Sequence, residues 1–304
     1  MRTLDFINVG YGDAILVQDT EEKFVMLVDC GDISTGDGGP GSARVSAAEF
    51  LRKKGIDTLS VLVLTHLHRD HSGGLTELLS QVKIKELWVN YLPSQTYWGK
   101  TVPVVKSFSA GARCLLESLN IYLAALQTMK AQGTEIRLIE ASGDTYALTQ
   151  SLTAWVYQEV GEVQARQQEI WQHVLDGAAS GEELDELDRF INNTSLRLRL
   201  NGGGKTVELP GDMYASCWEK HQLTPCDIMK LPHHGHGDSV TEKLLDMLQP
   251  KHVVISVSDS RTDNCPAVSV VNGILSRGIS LYATDAVTRE GFSAGNHESV
   301  WFEL

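Results

Sequence analysis

The sequence lacks the features of secreted, membrane-spanning and disulfide-rich proteins. Its 304 residues include five cysteines, and the absence of any Cys-x-x-Cys pair argues against a disulfide framework and a zinc ribbon. No apolar stretch approaches the roughly 18 residues that span a bilayer. The first nine residues enter a predicted strand at once and show no signal-peptide pattern. We therefore expect a cytoplasmic protein that makes no membrane contact.

Basic residues are also too few for a sequence-independent grip on long nucleic acid. Lys and Arg total 26 against 39 Asp and Glu, which gives a formal net charge of -13. Proteins that hold long nucleic acid through its phosphates need a basic surface. The acidic balance does not exclude a nuclease, because bound divalent ions add positive charge at the site itself.

The sequence does contain a dense group of metal-binding side chains. His66, His68, Asp70 and His71 come directly after the apolar run 59–64. Imidazole nitrogens and carboxylate oxygens are ligands that divalent ions such as Zn²⁺ select. His66 and His68 are two residues apart, so in an extended segment their side chains project from the same side. The pattern predicts a metal site rather than a histidine-rich surface loop.

The predicted elements form two β-rich segments on either side of a helical one. Strand patterns fill residues 1–92 and return in residues 190–304. Between them, apolar residues at helical spacing predict two amphipathic helices, the second at about 158–175. We expect one domain over the whole chain, with a helical insertion at 93–189. The acidic stretch at 176–188 indicates either a solvated helix face or a cap that discourages polyanions from reaching a site.

Acidic and histidine side chains after other predicted strands add to the candidate site. Asp29, Asp212 and the pair His233-His234 each follow an apolar strand. Ligand sites of layered α/β folds collect beyond strand ends. Each residue alone is better explained as a loop residue or a helix cap, but the repeated placement, together with the histidine segment, favours one shared site.

In these motifs and their order, the chain resembles the metallo-β-lactamase-fold hydrolases. The run His66-x-His68-x-Asp70-His71 matches the signature of that family. Further stretches are similar to the branch of the family that contains the ComEC-type hydrolase domain. They are residues 9–17, 192–198, 209–212, 230–235 and 282–285. The resemblance covers residues 1–92 and 190–304 and leaves the insertion uncovered.

The resemblance implies an α/β fold, a four-layer αβ/βα sandwich with a cleft at its edge. It also implies two divalent metal ions in that cleft, Zn²⁺ or Mn²⁺. Three residue sets would hold them. They are His66, His68 and one of His233 and His234 for the first ion, Asp70 and His71 for the second, and Asp212 as the bridge between both.

Three more carboxylates would act behind the metal ligands. Asp13, Asp29 and Asp285 are expected to orient a ligand or a bound water by hydrogen bonds. We place them near the centre but outside the set of atoms that touch metal.

Two positions depart from the family pattern. Cys265 precedes Pro266 where a His-Pro pair is expected. Cys265 is therefore either a thiolate ligand of the second ion, which would favour Zn²⁺ over Mn²⁺, or the mark of a weakened second site. His236 stands where a serine is more usual, and it places an extra imidazole near the cleft.

The reaction implied by the resemblance is metal-dependent hydrolysis, with a phosphodiester as the expected substrate. Two divalent ions about 3.5–4 Å apart can generate a hydroxide nucleophile and polarise a phosphoryl oxygen. Asp70 would be both a ligand and the acceptor of the water's proton. His236 or His234 would protonate the leaving oxygen. The acidic composition favours nucleotides or short nucleic acids over long duplexes.

Two other functions stay open at this point. Thioester, lactone and β-lactam bonds are also hydrolysed on this fold. Alternatively, the protein is a non-catalytic metal-binding module whose helical insertion docks a protein partner. The presence of Asp70 argues against the module, because a merely structural metal site needs that residue least.

Overall fold

Two seven-stranded sheets form the framework of the protein. The computed structural model describes residues 1–140, 143–159, 161–221, 223–257 and 265–304. The strands in these ranges are β1 (Arg2–Ile7), β2 (Ile15–Asp19), β3 (Phe24–Val28), β4 (Thr58–Val63), β5 (Lys83–Val89), β6 (Glu135–Leu138), β7 (Asp144–Ala147), β8 (Leu152–Tyr157), β9 (Arg197–Gly202), β10 (Lys205–Leu209), β11 (Ile228–Lys230), β12 (His252–Ile255), β13 (Ser280–Ala283), β14 (Val287–Arg289), β15 (Phe292–Ala294) and β16 (Ser299–Glu303).

The helices lie between these strands. Those in the described ranges are α1 (Ala47–Lys53), α2 (Arg69–Ser72), α3 (Leu75–Gln81), α4 (Ala110–Gln132), α5 (Glu162–Leu175), α6 (Gly181–Phe190), α7 (Ala215–Trp218), α8 (Glu242–Leu248) and α9 (Val268–Leu275). Short 3₁₀ turns occur at Gln95–Tyr97, Ile191–Thr194 and Pro232–Gly235. None of the helices in the described ranges combines the length and the apolar character needed to cross a membrane.

Each sheet combines antiparallel and parallel pairing. The first has the order β16-β1-β2-β3-β4-β5-β6, the second the order β13-β12-β11-β10-β9-β8-β7, and β14 pairs with β15 in a separate hairpin. The neighbours from β3 to β6 are parallel, as are those from β10 to β13. Because carboxyl ends of neighbouring parallel strands meet at one edge of a sheet, the segments after β3 and β4 lie side by side, as do those after β10 and β11.

Apolar side chains on both faces of each sheet produce the layers. In β4, Val61 and Val63 face the core between the sheets, whereas Leu62 between them faces the helices, because successive side chains project to opposite faces. Helices α1, α3, α4, α5 and α6 cover the outer face of the first sheet. Helices α7, α8 and α9 cover that of the second sheet. This order of layers confirms the predicted four-layer sandwich.

The segment predicted as a helical insertion is only partly helical. Helices α4, α5 and α6 pack in one core cluster on the first sheet, and they account for the amphipathic patterns of the sequence. Residue 160, part of the second predicted helix, lies outside the described ranges. Between α4 and α5 the chain adds β6 to the first sheet and both β7 and β8 to the second. The prediction for residues 93–189 is therefore corrected, since this segment supplies the last strands of both sheets.

Candidate metal centre

The histidine segment lies directly after β4, at the carboxyl edge of the first sheet. The segment continues into α2 within a few residues, so its side chains lie close together instead of being spread along a loop. The ring centroids of His66 and His71 are 4.2 Å apart, and those of His66 and His68 are 4.9 Å apart. His66 and His71 are fully buried. The four-residue helix thus brings three imidazoles together.

Three imidazole nitrogens of this segment have no hydrogen-bond partner among the described residues. They are the buried Nε2 atoms of His66, His68 and His71; the last two have carboxylate oxygens at 3.4 and 3.2 Å, outside hydrogen-bond geometry. Leaving a buried polar atom unsatisfied costs roughly 1–3 kcal/mol, so three such atoms in one place require an explanation. A divalent ion that accepts imidazole nitrogens supplies one. The residues present therefore fit a metal centre.

A second set of ligand atoms lies beside the histidine segment. One ligand atom from each of Asp70, His71, Asp212 and His234 can be chosen so that all four lie within 4.8 Å of one another. Oδ2 of Asp212 is 3.2 Å from Nε2 of His71 and 3.4 Å from Nε2 of His234. Nε2 of His234 is also 3.1 Å from Oδ2 of Asp70. Because Asp212 follows β10 and His234 follows β11, both sheets contribute to this set.

Asp29 fixes the direction of the His71 ring. Its Oδ2 is 2.8 Å from Nδ1 of His71 and accepts a 2.7 Å hydrogen bond from the Thr65 hydroxyl. Its Oδ1 accepts a 2.8 Å bond from the backbone N–H of Thr65. With Nδ1 engaged, Nε2 of His71 points into the ligand set, as a metal-binding imidazole requires.

Lys230 is a part of the site that sequence reasoning missed. Its Nζ donates 3.0 Å hydrogen bonds to Oδ1 of Asp212 and to the carbonyl of Gly211, and it also contacts the carboxylate of Asp13. The side chain is fully buried. A lysine inside the apolar strand at 228–231 was the available signal, because buried ammonium groups need charged partners.

Ser195 was missed as well, because little in its sequence context indicates a role at the site. Its hydroxyl accepts a 3.2 Å hydrogen bond from the backbone N–H of Asp212 and lies 3.3 Å from Nδ1 of His66. A serine after a helical segment has many ordinary roles. The hydroxyl contacts residues of both sheets, and these residues come together only when the sheets pack.

The carboxylates determine which histidines carry protons when no metal is bound. Burial opposes charge on His71, but the Asp212 and Asp29 carboxylates raise its pKa well above the usual value. Burial also opposes protonation of His234, yet Asp212 and Asp70 raise its pKa to about 9. The protons on His71 and His234 thus balance the negative charge of the carboxylates. A divalent cation that binds these histidines would displace both protons. By contrast, burial and the neighbouring imidazoles hold the pKa of His66 well below its usual value.

The geometry favours His234 over His233 as the ligand of the His233-His234 pair. Nδ1 of His233 lies 2.8 Å from Oδ1 of Asp238, and its backbone N–H donates to Asp212. Both histidines have left-handed φ angles, 46° and 50°, which turn their rings to different sides. His234 joins Asp70, whereas we expected it to share an ion with the first two histidines of the segment.

Two predicted residues lie outside the ligand sets that the described chain forms. Cys265 is buried, and its Sγ donates a 2.6 Å hydrogen bond to the backbone carbonyl of His234. It therefore contacts the turn that carries the ligand rather than joining the ligand group itself. Asp285 forms a 2.7 Å ion pair with Arg44 and accepts a hydrogen bond from Asn8. The expectation that Asp285 orients a metal ligand is corrected, because Arg44 takes its carboxylate.

His236 lies beside the centre. Its ring centroid is 4.5 Å from that of His233, and its Nε2 is 3.5 Å from the Tyr11 hydroxyl. The Tyr11 ring in turn lies 4.3 Å from the His234 ring. Burial, together with His233 and His234, lowers the pKa of His236, which opposes the proton-donor role predicted for it.

A cleft of about 500 Å³ opens over both ligand sets. Its walls include His68, Asp70 and Asp212, together with the first turn of α4. Two arginines also line it. Arg69 is held by Asp32 at 2.8 Å and by Glu117 at 2.7 Å. A volume of this size accommodates a small organic ligand.

Comparison with known proteins agrees with this fold. Residues 7–93 match the model of the metallo-beta-lactamase superfamily. The fold and the site together define a protein with the metallo-β-lactamase fold. The chain is 26% identical over 294 residues to ComE operon protein 3 of Bacillus subtilis (strain 168), which confirms the resemblance predicted from the motifs. The match covers 93% of this chain but 32% of that protein, so the chain spans about a third of its relative's length.

Solved structures show the same fold. The metallo-beta-lactamase fold protein YhfI from Bacillus subtilis aligns with a TM-score of 0.52 and 10% identity, over 99% of each chain. Zn²⁺-bound PqqB from Methylobacterium extorquens aligns with a TM-score of 0.50 and 11% identity, over 100% of each chain. At these identities the likeness establishes the architecture alone.

Proposed function

We propose that the protein is a metal-dependent phosphodiesterase that acts on nucleotides or short nucleic acids. The observation that supports the proposal is a group of four ligand residues, Asp70, His71, Asp212 and His234, that meets beside the buried histidine segment at one cleft. A hydrolase is the class of enzyme that both the superfamily match and these ligands support. The phosphodiester is the substrate we infer.

His66 and His68 would hold one ion and Asp70, His71 and His234 the other, with Asp212 between them. When bound, Zn²⁺ or Mn²⁺ supplies Lewis-acid polarisation of a phosphoryl oxygen and a lower pKa for water. Asp70 and Asp212 line the cleft, so a substrate meets their carboxylates first. Asp70 would accept the proton that the attacking water gives up.

The charges around the cleft favour a short substrate. Arg113 lines one wall, while the guanidinium of Arg69 is already neutralised by two carboxylates. The net charge of the chain is -13. Long nucleic acid would bring many phosphates to an acidic surface, whereas a nucleotide brings one or two to the centre.

Bis(p-nitrophenyl) phosphate should be hydrolysed by the purified protein in Zn²⁺ or Mn²⁺ and spared in a chelator. Asp70→Ala should lower turnover at least about a hundredfold, because it removes a carboxylate of the second ligand set. The matched control is Asp227→Ala. Asp227 pairs with Lys251 at 2.6 Å and precedes β11, at the opposite edge of the sheet.

Turnover that persists in the chelator, or that survives Asp70→Ala, would contradict a metal-dependent reaction. Turnover of thioesters or lactones without turnover of the phosphodiester would instead support the other hydrolase chemistry of this fold. Binding of two ions without any hydrolysis would support a non-catalytic module. A protein partner for helices α4–α6 and a cytoplasmic location stay predictions.

His236→Ala should slow phosphodiester turnover without changing metal content, because it removes a ring that packs beside His233 and Tyr11 in the wall of the cleft. The residue contacts Tyr11 beside the cleft but belongs to neither ligand set. Steady-state rates and metal analysis of the same sample separate the two effects. The control is His252→Ala, which replaces a histidine at the start of β12, far along the strand direction from the cleft. A wild-type rate for His236→Ala would remove His236 from the mechanism.

A further inference from the structure

We propose that Asp188, on helix α6, is a metal ligand that completes the set begun by His66 and His68. The inference rests on the proposed function, because it concerns the same metal centre. It gives the segment between the two β-rich parts of the chain a direct role in that centre. Its test measures metal binding and does not depend on the substrate.

The first ion has only two ligands of its own, His66 and His68, because Asp212 would be shared with the second ion. Catalytic zinc sites use three protein ligands. Asp70, His71, Asp212 and His234 meet as one group, but His66 and His68 form no group of three within 4.8 Å with any His, Cys, Asp or Glu of the described chain. The buried Nε2 of His66 has no hydrogen-bond partner in that part of the chain, and the Nε2 of His68 has only a carboxylate oxygen at 3.4 Å. An additional donor must approach for these two nitrogens to hold an ion firmly.

Asp188 is placed to be that donor. Its Oδ1 lies 3.4 Å from Nε2 of His68, and both residues line the cleft. Two ligands at about 2.1 Å from one tetrahedral ion lie roughly 3.4 Å apart. The ligand atoms of His66, His68 and Asp188 do not yet all meet within 4.8 Å, so Asp188 must rotate about its side-chain bonds. Its side chain is 41% exposed, which leaves room for that rotation.

The backbone that carries Asp188 is held firmly. Helix α6 begins with a capping box, in which Ser180 and Glu183 satisfy each other's backbone N–H groups. Leu184 and Leu187 are fully buried in the core on the first sheet. Asp188 follows Leu187 directly, so packing of α6 fixes the point from which its carboxylate extends.

Gly111 leaves the space that this carboxylate occupies. A Cβ atom at position 111 would lie 2.3 Å from Oδ2 of Asp188. Alanine is the better residue for a helix by about 1 kcal/mol. Glycine in the first turn of α4 thus makes room for Asp188 at some cost in intrinsic helix propensity.

The competing explanation is that Asp188 is purely structural and that its negative charge stabilises the positive N-terminal end of α4. Asp185, three residues earlier on the same face of α6, fills that role, because it accepts a hydrogen bond from the Ser109 hydroxyl at the N-cap of α4. The ion pair of His68 is with Asp188 and not with Asp185. Asp185→Asn is therefore the matched control for Asp188→Asn.

The test is titration of the metal-free full chain with Zn²⁺ in competition with a chromophoric chelator. Asp188→Asn should weaken one of the two zinc sites at least about tenfold, whereas Asp185→Asn should keep the wild-type affinities. Equal affinities in Asp188→Asn and the wild type, or equal losses in both variants, would overturn the proposal and leave Asp188 as a helix-end charge.

Two further variants separate ligation from charge. Asp188→His should restore affinity, because imidazole is also a zinc ligand and a helix-end role would not favour it. Gly111→Ala should weaken the same site while every charge remains, because the new methyl displaces the carboxylate. A Gly111→Ala protein with wild-type zinc affinity would count against the proposed position. If the wild-type protein hydrolyses no phosphodiester, the proposed activity is refuted. The zinc affinities would still test whether Asp188 is a ligand.

Discussion

Asp212→Ala is expected to release metal from the protein and to lower turnover at least about a hundredfold. The Asp212 carboxylate joins the two parts of the site. Its Oδ2 is 3.2 Å from Nε2 of His71 and 3.4 Å from Nε2 of His234, and its Oδ1 accepts from Lys230. The substitution removes the residue proposed between both ions, so at least one equivalent of metal should be lost on dialysis.

Metal content measured by plasma mass spectrometry, beside the rate on the phosphodiester, checks this result. Asp285→Ala is the control, because it removes another buried aspartate and breaks its 2.7 Å ion pair with Arg44. That variant should lose stability but retain its metal. Two equivalents of tightly held metal in Asp212→Ala would show that Asp212 does not bridge the ions.

The histidine segment was predictable because its information is local. An apolar strand followed by closely spaced imidazoles and a carboxylate places them at a strand end in almost any layered fold. The rings of His66 and His71 come close together because only the start of the short helix α2 separates the two residues. The four layers were predicted through the family resemblance, and the apolar side chains on both faces of β4 agree with a sheet that is covered on both sides.

The choice between His233 and His234 could not be made from sequence. It depends on two successive left-handed residues, which direct one ring to Asp238 and the other to Asp70. No spacing rule specifies such a turn. The pairing of Lys230 with Asp13 is equally non-local, because the two residues meet only when the sheets pack.

The edge strands were missed because their sequences lack a buried face. All four residues of β6 are at least partly exposed, and so are those of β7. The alternation that identifies a strand arises when one face is buried. Sequence reasoning therefore extended the helical pattern of α4 across a region in which backbone pairing with β5 and β8 determines the structure.

Lys230→Met should lower the free energy of unfolding of the metal-free protein by about 3–5 kcal/mol, the usual cost of removing one partner of a buried ion pair. Methionine fills similar space but leaves the carboxylates of Asp13 and Asp212 buried without their ammonium partner. Burial opposes charge on Lys230, but these two carboxylates raise its pKa above the usual value. Urea denaturation in the presence of a chelator measures the loss.

Lys54→Met is the matched control. Nζ of Lys54 lies 3.1 Å from Oδ2 of the buried Asp5, but the lysine side chain is 35% exposed. Water screens this pair, so its loss should cost about 0–1 kcal/mol. Equal losses in the two variants would show that burial of Lys230 adds nothing.

Added Zn²⁺ separates the charge of Lys230 from its packing. A divalent ion beside Asp212 places positive charge on the carboxylate that lost its ammonium partner. Zn²⁺ should therefore recover part of the stability of Lys230→Met beyond the ordinary gain from ligand binding, which the wild type also shows. If Zn²⁺ stabilises both proteins equally, the lysine contributes through shape, and its charge does not balance the carboxylates of the centre.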